Sequence, residues 1–287
     1  MTKFQIDIVS DVVCPWCYIG HRRLTTAITA HKSLHPTDTF KLTYHPYYLN
    51  PPSLETLQAK TFFPITPPSR LRSEAYASKF GPDVVPQIFQ RLSTAAAADG
   101  LHFKFGGKTG PSRNGHRLIR YAQSHGGEDA QNQTMLGLWK RYYEQEIDIT
   151  ELEVLVQVGV EAGLGSADEI RNYLEAKGDK RDEALRDVKA IDRETEDASL
   201  GRGISGVPNY EIGVQGFREK YEVSGAQDPK LFGAVFAKFR ELDQVHGGLT
   251  PVDGAGTPSS RPDGKTAAAA EEEMNGEACA IDGSGKC

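Results

Sequence analysis

Two stretches of alternating strand and helix patterning, separated by a long block of purely helical periodicity, restrict this chain more than any other feature of its sequence. Phe4, Ile6 and Ile8 alternate with Gln5 and Asp7, and Val9 follows, which predicts a strand beginning almost at the first residue. Cys14 to about His31 reads as a helix with Leu24, Ala27 and Ile28 on one face. Pro15 fits its first turn, where a missing N–H would lack a helical partner anyway. Thr39 to Leu49 reads as a second strand, closed by Asn50-Pro51-Pro52. Helical spacing then recurs over 69–80, 84–98, 113–124, 131–145, 151–162 and 167–176, with Gly or Pro between most segments. A further helix over 180–200 carries Ala184, Leu185, Val188 and Ile191. Strand patterning returns at Asn209–Val214 and Phe217–Val223, which flank Gln215-Gly216 as a hairpin. Asp228-Pro229 supplies an N-cap and a first-turn proline for a last helix to about Val245.

The order is β-α-β, a helical block, then α-β-β-α. That predicts an α/β protein with a thioredoxin-like fold interrupted by a large all-helical insertion domain. The expected boundaries are 1–52 and 181–247 for the thioredoxin-like domain and 53–180 for the insertion. Residues 248–287 are rich in Gly, Ala, Pro, Ser and acid, and their large apolar residues are Leu249, Val252, Met274 and Ile281. Such a segment buries too little surface to offset its ordering entropy, so a mostly disordered tail is expected. The tail nevertheless holds two cysteines, Cys279 and Cys287.

At 287 residues the chain can build a core without staples. Its net charge is 33 − 39 = −6, which offers no basic field for nucleic acid or an anionic membrane surface. No apolar run approaches the roughly 20 residues that span a bilayer. Gln5 and Asp7 interrupt the first apolar stretch, so it does not read as a signal peptide, and the cytoplasm is the expected compartment. Four cysteines are too few for a secreted disulfide framework. In a reducing compartment a close pair points to catalysis or metal binding.

Cys14-Pro15-Trp16-Cys17 stands where the first strand meets the first helix. A cysteine at a helix N-terminus meets orphan N–H groups and the positive end of the macrodipole, which favour its thiolate. The thiolate is the nucleophile, and a second cysteine one turn on can attack the mixed disulfide that results. Cys14 is therefore the expected attacking residue and Cys17 the resolving one. Zinc needs four ligands, and neither the distant tail cysteines nor His21, His31 and His35 provide a second paired spacing, so no metal is expected. A structural bridge across two intervening residues gains little from loop closure.

Gly203-Ile204-Ser205-Gly206-Val207-Pro208 precedes the third strand. A proline at a strand start after a β-branched residue suits a cis bond in a tight turn. Thioredoxin-like folds bring such a proline against the redox pair, so here it is expected to leave the Val207 backbone free for an extended peptide or thiol substrate. Tyr142 and Tyr143 lie on a helix with Leu138 and Trp139, where packing is expected rather than ligand contact. His116 reads as a structural histidine, with a cleft-facing position as the alternative.

These residues, in this order, resemble the DsbA family and, within it, the FrnE-like branch. The resemblance rests on Ser10-Asp11-Val12-Val13-Cys14-Pro15-Trp16-Cys17-Tyr18-Ile19-Gly20, Leu49-Asn50-Pro51, His116-Arg117-Leu118, Ser205-Gly206-Val207-Pro208 and Ser224-Gly225-Ala226-Gln227, and spans about residues 4–245. It implies a thioredoxin domain with an inserted helical domain, dithiol–disulfide exchange at Cys14 and Cys17, and a cis proline beside them. Some members of the family carry an extra C-terminal cysteine pair. Cys279 and Cys287 are thus either inert tail thiols or an auxiliary redox pair. Tyr48 stands where this branch often has Glu, and Asn209 where an aromatic or apolar residue usually follows the proline. Pro15, Trp16, Val207, Pro208 and Asn209 are the expected substrate-lining residues. Trp16 replaces the His that strongly oxidising relatives carry, and offers only an N–H donor and an apolar face. A Cys14 pKa nearer roughly 7 than roughly 3.5 is expected.

The sequence thus predicts a cytosolic thiol–disulfide oxidoreductase. Its partners would be disulfide-bearing or thiol-bearing proteins or small thiols, with no nucleic acid and no membrane. No cofactor is required, and glutathione is the candidate recycling thiol or co-substrate. The alternative is a kappa-class-like glutathione-dependent transferase or isomerase acting on a small aromatic or polyketide-type metabolite. Those relatives typically carry serine at the Cys14 position. A third reading is a binding module that works through its insertion and is indifferent to both cysteines.

Overall fold

The computed structural model describes residues 1–50, 68–246 and 279–280. The expected boundary at 52/53, Pro51, and the tail apart from Cys279 and Ala280 lie outside them.

The main sheet has the order β2-β1-β6-β7, formed by β1 (Lys3–Ser10), β2 (Thr39–Pro46), β6 (Asn209–Val214) and β7 (Lys220–Ser224). β1 runs parallel to β2 and antiparallel to β6, so Ile6 pairs with both Leu42 and Ile212. Strand parity decides which face is dry. Phe4, Ile6, Ile8, Tyr210 and Ile212 are buried on the face covered by α1 (Pro15–Leu34) and α8 (Pro229–His246). Phe4 meets Phe236 of α8 at a centroid distance of 5.3 Å, and Tyr210 meets Phe232 at 5.1 Å. The opposite face carries Asp7, Glu211 and Lys220, whose Nζ bridges both carboxylates at 3.1 and 2.8 Å. His45 joins this group 3.0 Å from Asp7, and its hydrogen bond is the main influence holding the Asp7 carboxyl down at about 2.

The hairpin keeps Asn209–Val214 as read from sequence, but β7 opens at Lys220 rather than Phe217. Gly216 takes φ +92 in a β-turn closed by the Phe217 N–H on the Val214 carbonyl, and the residues from Phe217 to Glu219 stay out of the ladder before β7 resumes.

The intervening block comprises α2 (Arg72–Phe80), α3 (Val85–Ala98), α4 (Arg113–Trp139), α5 (Leu152–Glu161), α6 (Ala167–Glu175) and α7 (Arg181–Glu196). It is not wholly helical. β3 (Arg70–Leu71) and β4 (Lys108–Thr109) form a two-residue antiparallel ladder within it. The helices expected at 113–124 and 131–145 run together as α4, kinked where Gly127 takes φ 71 and ending in a π turn at Lys140–Glu144.

β2 is an edge strand, and α4 covers part of that edge. The Gln131 side-chain amide accepts from the Tyr44 N–H at 2.9 Å and donates to the Tyr44 carbonyl at 3.0 Å, imitating a neighbouring strand. Trp139 packs between Tyr18 and His21 of α1 and Tyr44 of β2, with centroid distances of 5.3, 5.5 and 6.1 Å. Tyr142 and Tyr143 are buried beside it, as packing residues. No described helix is long and apolar enough to cross a membrane.

Candidate active site

β1 delivers its last residue, Ser10, to a tight turn in which the Cys14 N–H bonds the Asp11 carbonyl at 3.1 Å. Cys14 is then the N-cap of α1, with extended backbone, and Pro15 is the first helical residue. Cys17 follows within the first turn. Both thiols are free and buried, with relative exposures of 0% for Cys14 and 2% for Cys17.

Four segments converge on this pair. The Val207–Pro208 peptide bond is cis, and the Val207 carbonyl accepts from the Cys14 thiol at 3.4 Å. The Pro208 carbonyl in turn accepts from the Gly225 N–H at 2.8 Å. The loop after β2 ties the two sides together. Tyr47 Oη donates to the Ile204 carbonyl at 2.9 Å, while the Leu49 N–H donates to Asp11 Oδ2 at 2.9 Å. From α4, His116 Nε2 lies 3.2 Å from Asp11 Oδ1 and 3.1 Å from the Tyr47 carbonyl. Both of those partners are acceptors, so Nε2 carries the proton. His116 is thus a buried, satisfied histidine that also joins the inserted helices to the turn carrying Cys14.

Asp11 is the residue that sequence reasoning left without a role. It is fully buried and organises the turn through Leu49 and His116. The signal was available: a carboxylate inside the apolar run Ile8-Val9-Ser10-Asp11-Val12-Val13 must find partners if it is to be buried.

The electrostatics correct one expectation. The helix N-terminus does favour a Cys14 thiolate, and the Cys17 backbone N–H acts the same way. Burial dominates, however, and pushes the Cys14 thiol well above its ordinary range, with the Cys17 thiol and the Asp11 charge adding to it. The bond to the Val207 carbonyl stabilises the protonated form in the same sense. Burial thus opposes the thiolate that the helix start alone would favour. Burial lowers the pKa of Lys79 of α2, and the Asp11 carboxylate acts in the opposite sense.

The other expected lining residues divide. Trp16 is buried, its Nε1 has no hydrogen-bond partner among the described residues, and the Arg91 guanidinium stands 5.9 Å from its ring. Val207 and Pro208 are at the thiol as described. Asn209 is buried. Its amide donates to Glu222 Oε1 at 2.7 Å across the β6–β7 ladder. Tyr48 is likewise engaged, donating to Asp192 at 3.1 Å and packing edge-on to His116. Arg117, next to His116, caps the end of α6 by donating to the Tyr173 and Leu174 carbonyls, both at 2.7 Å.

Gly20 sets the distance between α1 and the cis-proline turn. A Cβ there would overlap Tyr210 Oη and stand 3.0 Å from Pro208 Cγ. Tyr210 is itself fully buried against Phe232 and has little room to retreat. Alanine would gain up to about 1 kcal/mol of helix propensity, but overpacking costs about 1–3 kcal/mol, so a net loss follows for Gly20→Ala. Chemical denaturation should show this loss together with slowed thiol exchange; a stabilised, fully active variant would contradict the packing account.

His21, one turn beyond Cys17, is buried beside Trp139 with Nδ1 2.6 Å from Tyr44 Oη. Burial, helped by Arg22, lowers its pKa from 6.5 to about 4. Between those values the unfolded chain binds a proton that the native state refuses. Stability therefore falls as pH drops through that window, by about 3 kcal/mol in all. Urea midpoints measured from pH 7 to pH 4 should show the decline, and His21→Leu should flatten it. An unchanged pH slope in that variant would assign the decline elsewhere.

Residues 5–236 match the DSBA-like thioredoxin domain. The chain belongs to the DsbA-like family. Members of this family are thiol–disulfide oxidoreductases. Among solved structures, the DsbA-like chain is similar to a probable DsbA oxidoreductase of Streptomyces coelicolor, at 25% identity and TM-score 0.61, covering 91% of this chain and 97% of that one. A protein of Nitrosomonas europaea provisionally assigned as a protein disulfide isomerase follows at 16% identity and TM-score 0.54, covering 84% and 98%. A 2-hydroxychromene-2-carboxylate isomerase matches at 15% identity and TM-score 0.53, covering 86% and 100%. At such identities the last two establish the fold alone. No curated protein matches the chain significantly in sequence.

Proposed function

We propose that this DsbA-like protein catalyses thiol–disulfide exchange in the cytosol through Cys14 and Cys17. The observation that carries the reading is the placement of Cys14 at the α1 N-cap, bonded to the carbonyl that precedes cis-Pro208, with Cys17 in the same helical turn. Family membership supports the chemistry. The scarcity of cysteine elsewhere supports a reducing compartment.

The proposed cycle begins with the dithiol. A substrate disulfide enters beside Val207 and Pro208 and takes over the place of the thiol–carbonyl bond. Cys14 loses its proton, its sulfur attacks one substrate sulfur, and the substrate S–S bond breaks. The departing substrate thiolate takes up a proton, leaving a mixed disulfide on Cys14. The Cys17 thiolate then attacks the Cys14 sulfur, releases the second substrate thiol and closes the Cys14–Cys17 disulfide. Two electrons and two protons pass to the substrate. Two glutathione molecules, oxidised to glutathione disulfide, restore the dithiol. The reverse sequence oxidises a dithiol substrate.

Equilibration in glutathione buffers of graded potential, followed by alkylation and mass analysis, tests the reading. The expected result is a two-electron transition confined to a Cys14–Cys17 peptide, together with catalysed reduction of insulin by glutathione. Absence of that transition would overturn it. Turnover of a small electrophile with glutathione that survives Cys17→Ser would favour the transferase reading instead.

A further inference from the structure

Two tyrosines flank Ile8 in the row of side chains beneath the first turns of α1. Ile8 pairs with Tyr44 of β2 on one side and with Tyr210 of β6 on the other. Residues directly opposite in paired strands share a face, so both tyrosines point toward α1, as Ile8 does. The helix presents the buried residues Cys17, Gly20 and His21 to this row, since residues three and four apart lie on one face. The Tyr44 hydroxyl is engaged, 2.6 Å from His21 Nδ1 and 3.3 Å from Asn132 Oδ1. The Tyr210 hydroxyl is not. Tyr210 is fully buried, and its Oη has no hydrogen-bond partner among the described residues. A Cβ at Gly20 would meet both this hydroxyl and Pro208, which stands between β5 (Gly206–Val207) and β6. Burying a hydroxyl without a partner costs stability, and a phenylalanine would pack against Phe232 without that cost. Such an orphan donor calls for an acceptor that the resting dithiol does not supply.

We propose that the Tyr210 hydroxyl is the hydrogen-bond donor to the Cys17 sulfur whenever that sulfur carries negative charge during exchange. The proposal rests on the reading of Cys17 as the resolving cysteine. Cys17 lies one turn before Gly20 on the same face of α1, and the Tyr210 hydroxyl reaches that face at Gly20, so donor and sulfur are neighbours. Burial holds the phenol protonated well above its ordinary range, so it serves as a donor and not as a base. A negative charge on Cys17 acts on the hydroxyl more strongly than one on Tyr44 or Cys14, and Arg23 acts in the opposite sense. A donor fixed in a dry site before charge develops stabilises that charge with little reorganisation.

Resolution starts with substrate joined to Cys14. Cys17 loses its proton, its sulfur attacks the Cys14 sulfur, the Cys14–substrate bond breaks and the Cys14–Cys17 bond forms. The substrate sulfur leaves with the bonding pair and takes up a proton, which balances the one lost from Cys17. In the opposite direction a thiolate attacks the Cys14 sulfur of the oxidised pair, and Cys17 leaves with the bonding pair before it is protonated. Negative charge stands on the Cys17 sulfur in both directions, and Tyr210 donates to it in both while keeping its own proton. The sulfur is uncharged at either end of the step, so removing the donor slows both directions alike.

The test uses the full chain carrying Cys279→Ser and Cys287→Ser, so that only the Cys14/Cys17 pair reports. The dithiol protein is mixed in stopped flow with excess dithiobis(nitrobenzoate). One coloured thiolate is released when Cys14 attacks, and a second when Cys17 resolves the mixed disulfide at a rate independent of reagent concentration. Adding Tyr210→Phe should leave the first phase unchanged and slow the second about tenfold, with its pH profile displaced upward. The urea midpoint should hold or rise, because the hydroxyl removed had no partner. Tyr44→Phe makes the same change at a bonded hydroxyl in the same row, and should keep the second phase while lowering the urea midpoint. A second phase that ignores Tyr210→Phe, or that Tyr44→Phe slows equally, would overturn the proposal and leave the exchange reading standing. So would a marked loss of stability in Tyr210→Phe, which would make the hydroxyl a structural group. If the protein with both tyrosines releases no second thiolate, Cys17 does not resolve and the exchange reading fails as well.

Discussion

Cys14→Ser should abolish catalysed insulin reduction, with a loss on the order of 10³-fold or more, because it removes the nucleophile on which every later step depends. Cys17→Ser should behave differently. Its first attack proceeds, but the mixed disulfide is no longer released from within, so turnover falls to the rate at which an external thiol clears it. The asymmetry follows from position. Cys14 sits at the N-cap with the Val207 carbonyl before it, whereas Cys17 lies one turn into α1. Neither substitution should cost much stability, since serine is smaller than cysteine and the Cys14 side chain already has a polar neighbour in the Val207 carbonyl. Steady-state rates with insulin and glutathione check the pair of predictions. Equal losses in both variants would show that the two cysteines do not divide the roles in this way.

Asp11→Ala is expected to be the most damaging substitution for stability, at about 3–5 kcal/mol. The carboxylate accepts from the Leu49 N–H at 2.9 Å and faces His116 Nε2 at 3.2 Å, and it is fully buried. Alanine would strand the Leu49 N–H in a dry interior, at a cost of about 1–3 kcal/mol, and would leave His116 Nε2 only the Tyr47 carbonyl. Asp11→Asn keeps one acceptor oxygen and should lose less. The effect reaches the chemistry as well. Asp11 is the first residue of the turn that ends in Cys14, and its charge is one of the influences that raise the Cys14 thiol. Among molecules that remain folded, the alanine variant should therefore ionise Cys14 more readily. Urea denaturation measures the first effect and the pH dependence of Cys14 alkylation the second. A loss below about 1 kcal/mol would mean that the Leu49 N–H finds another partner.

Much of the fold could be read from pattern. Strands buried on one face alternate visibly, and Phe4, Ile6, Ile8 and Tyr210, Ile212 marked β1 and β6 for that reason. The same parity places Asn209, next to Tyr210, on the face away from α1, where its amide meets Glu222. The redox motif was legible because two cysteines one turn apart, at the junction of a strand and a helix, suit dithiol exchange better than zinc or a structural bridge. What was not legible depends on tertiary closure. Burial of Cys14 depends on a carbonyl nearly two hundred residues away in sequence, which no local pattern reports. The Gln131 amide that covers the β2 edge is an ordinary helix residue by every local measure. The tail was read by composition as unable to form structure, and composition says nothing of the two-residue ladder in which Cys279 and Ala280 pair with Val207 and Gly206.

The central claim is that Cys14 forms the covalent intermediate. The most direct measurement is intact-protein and peptide mass spectrometry of Cys17→Ser after mixing with oxidised insulin substrate and acid quenching. The account predicts a substrate chain joined to Cys14 by a bond that dithiothreitol removes, absent when Cys14 is also serine. Recovery of substrate on another cysteine, or full turnover by Cys17→Ser with Cys14 unmodified, would contradict it.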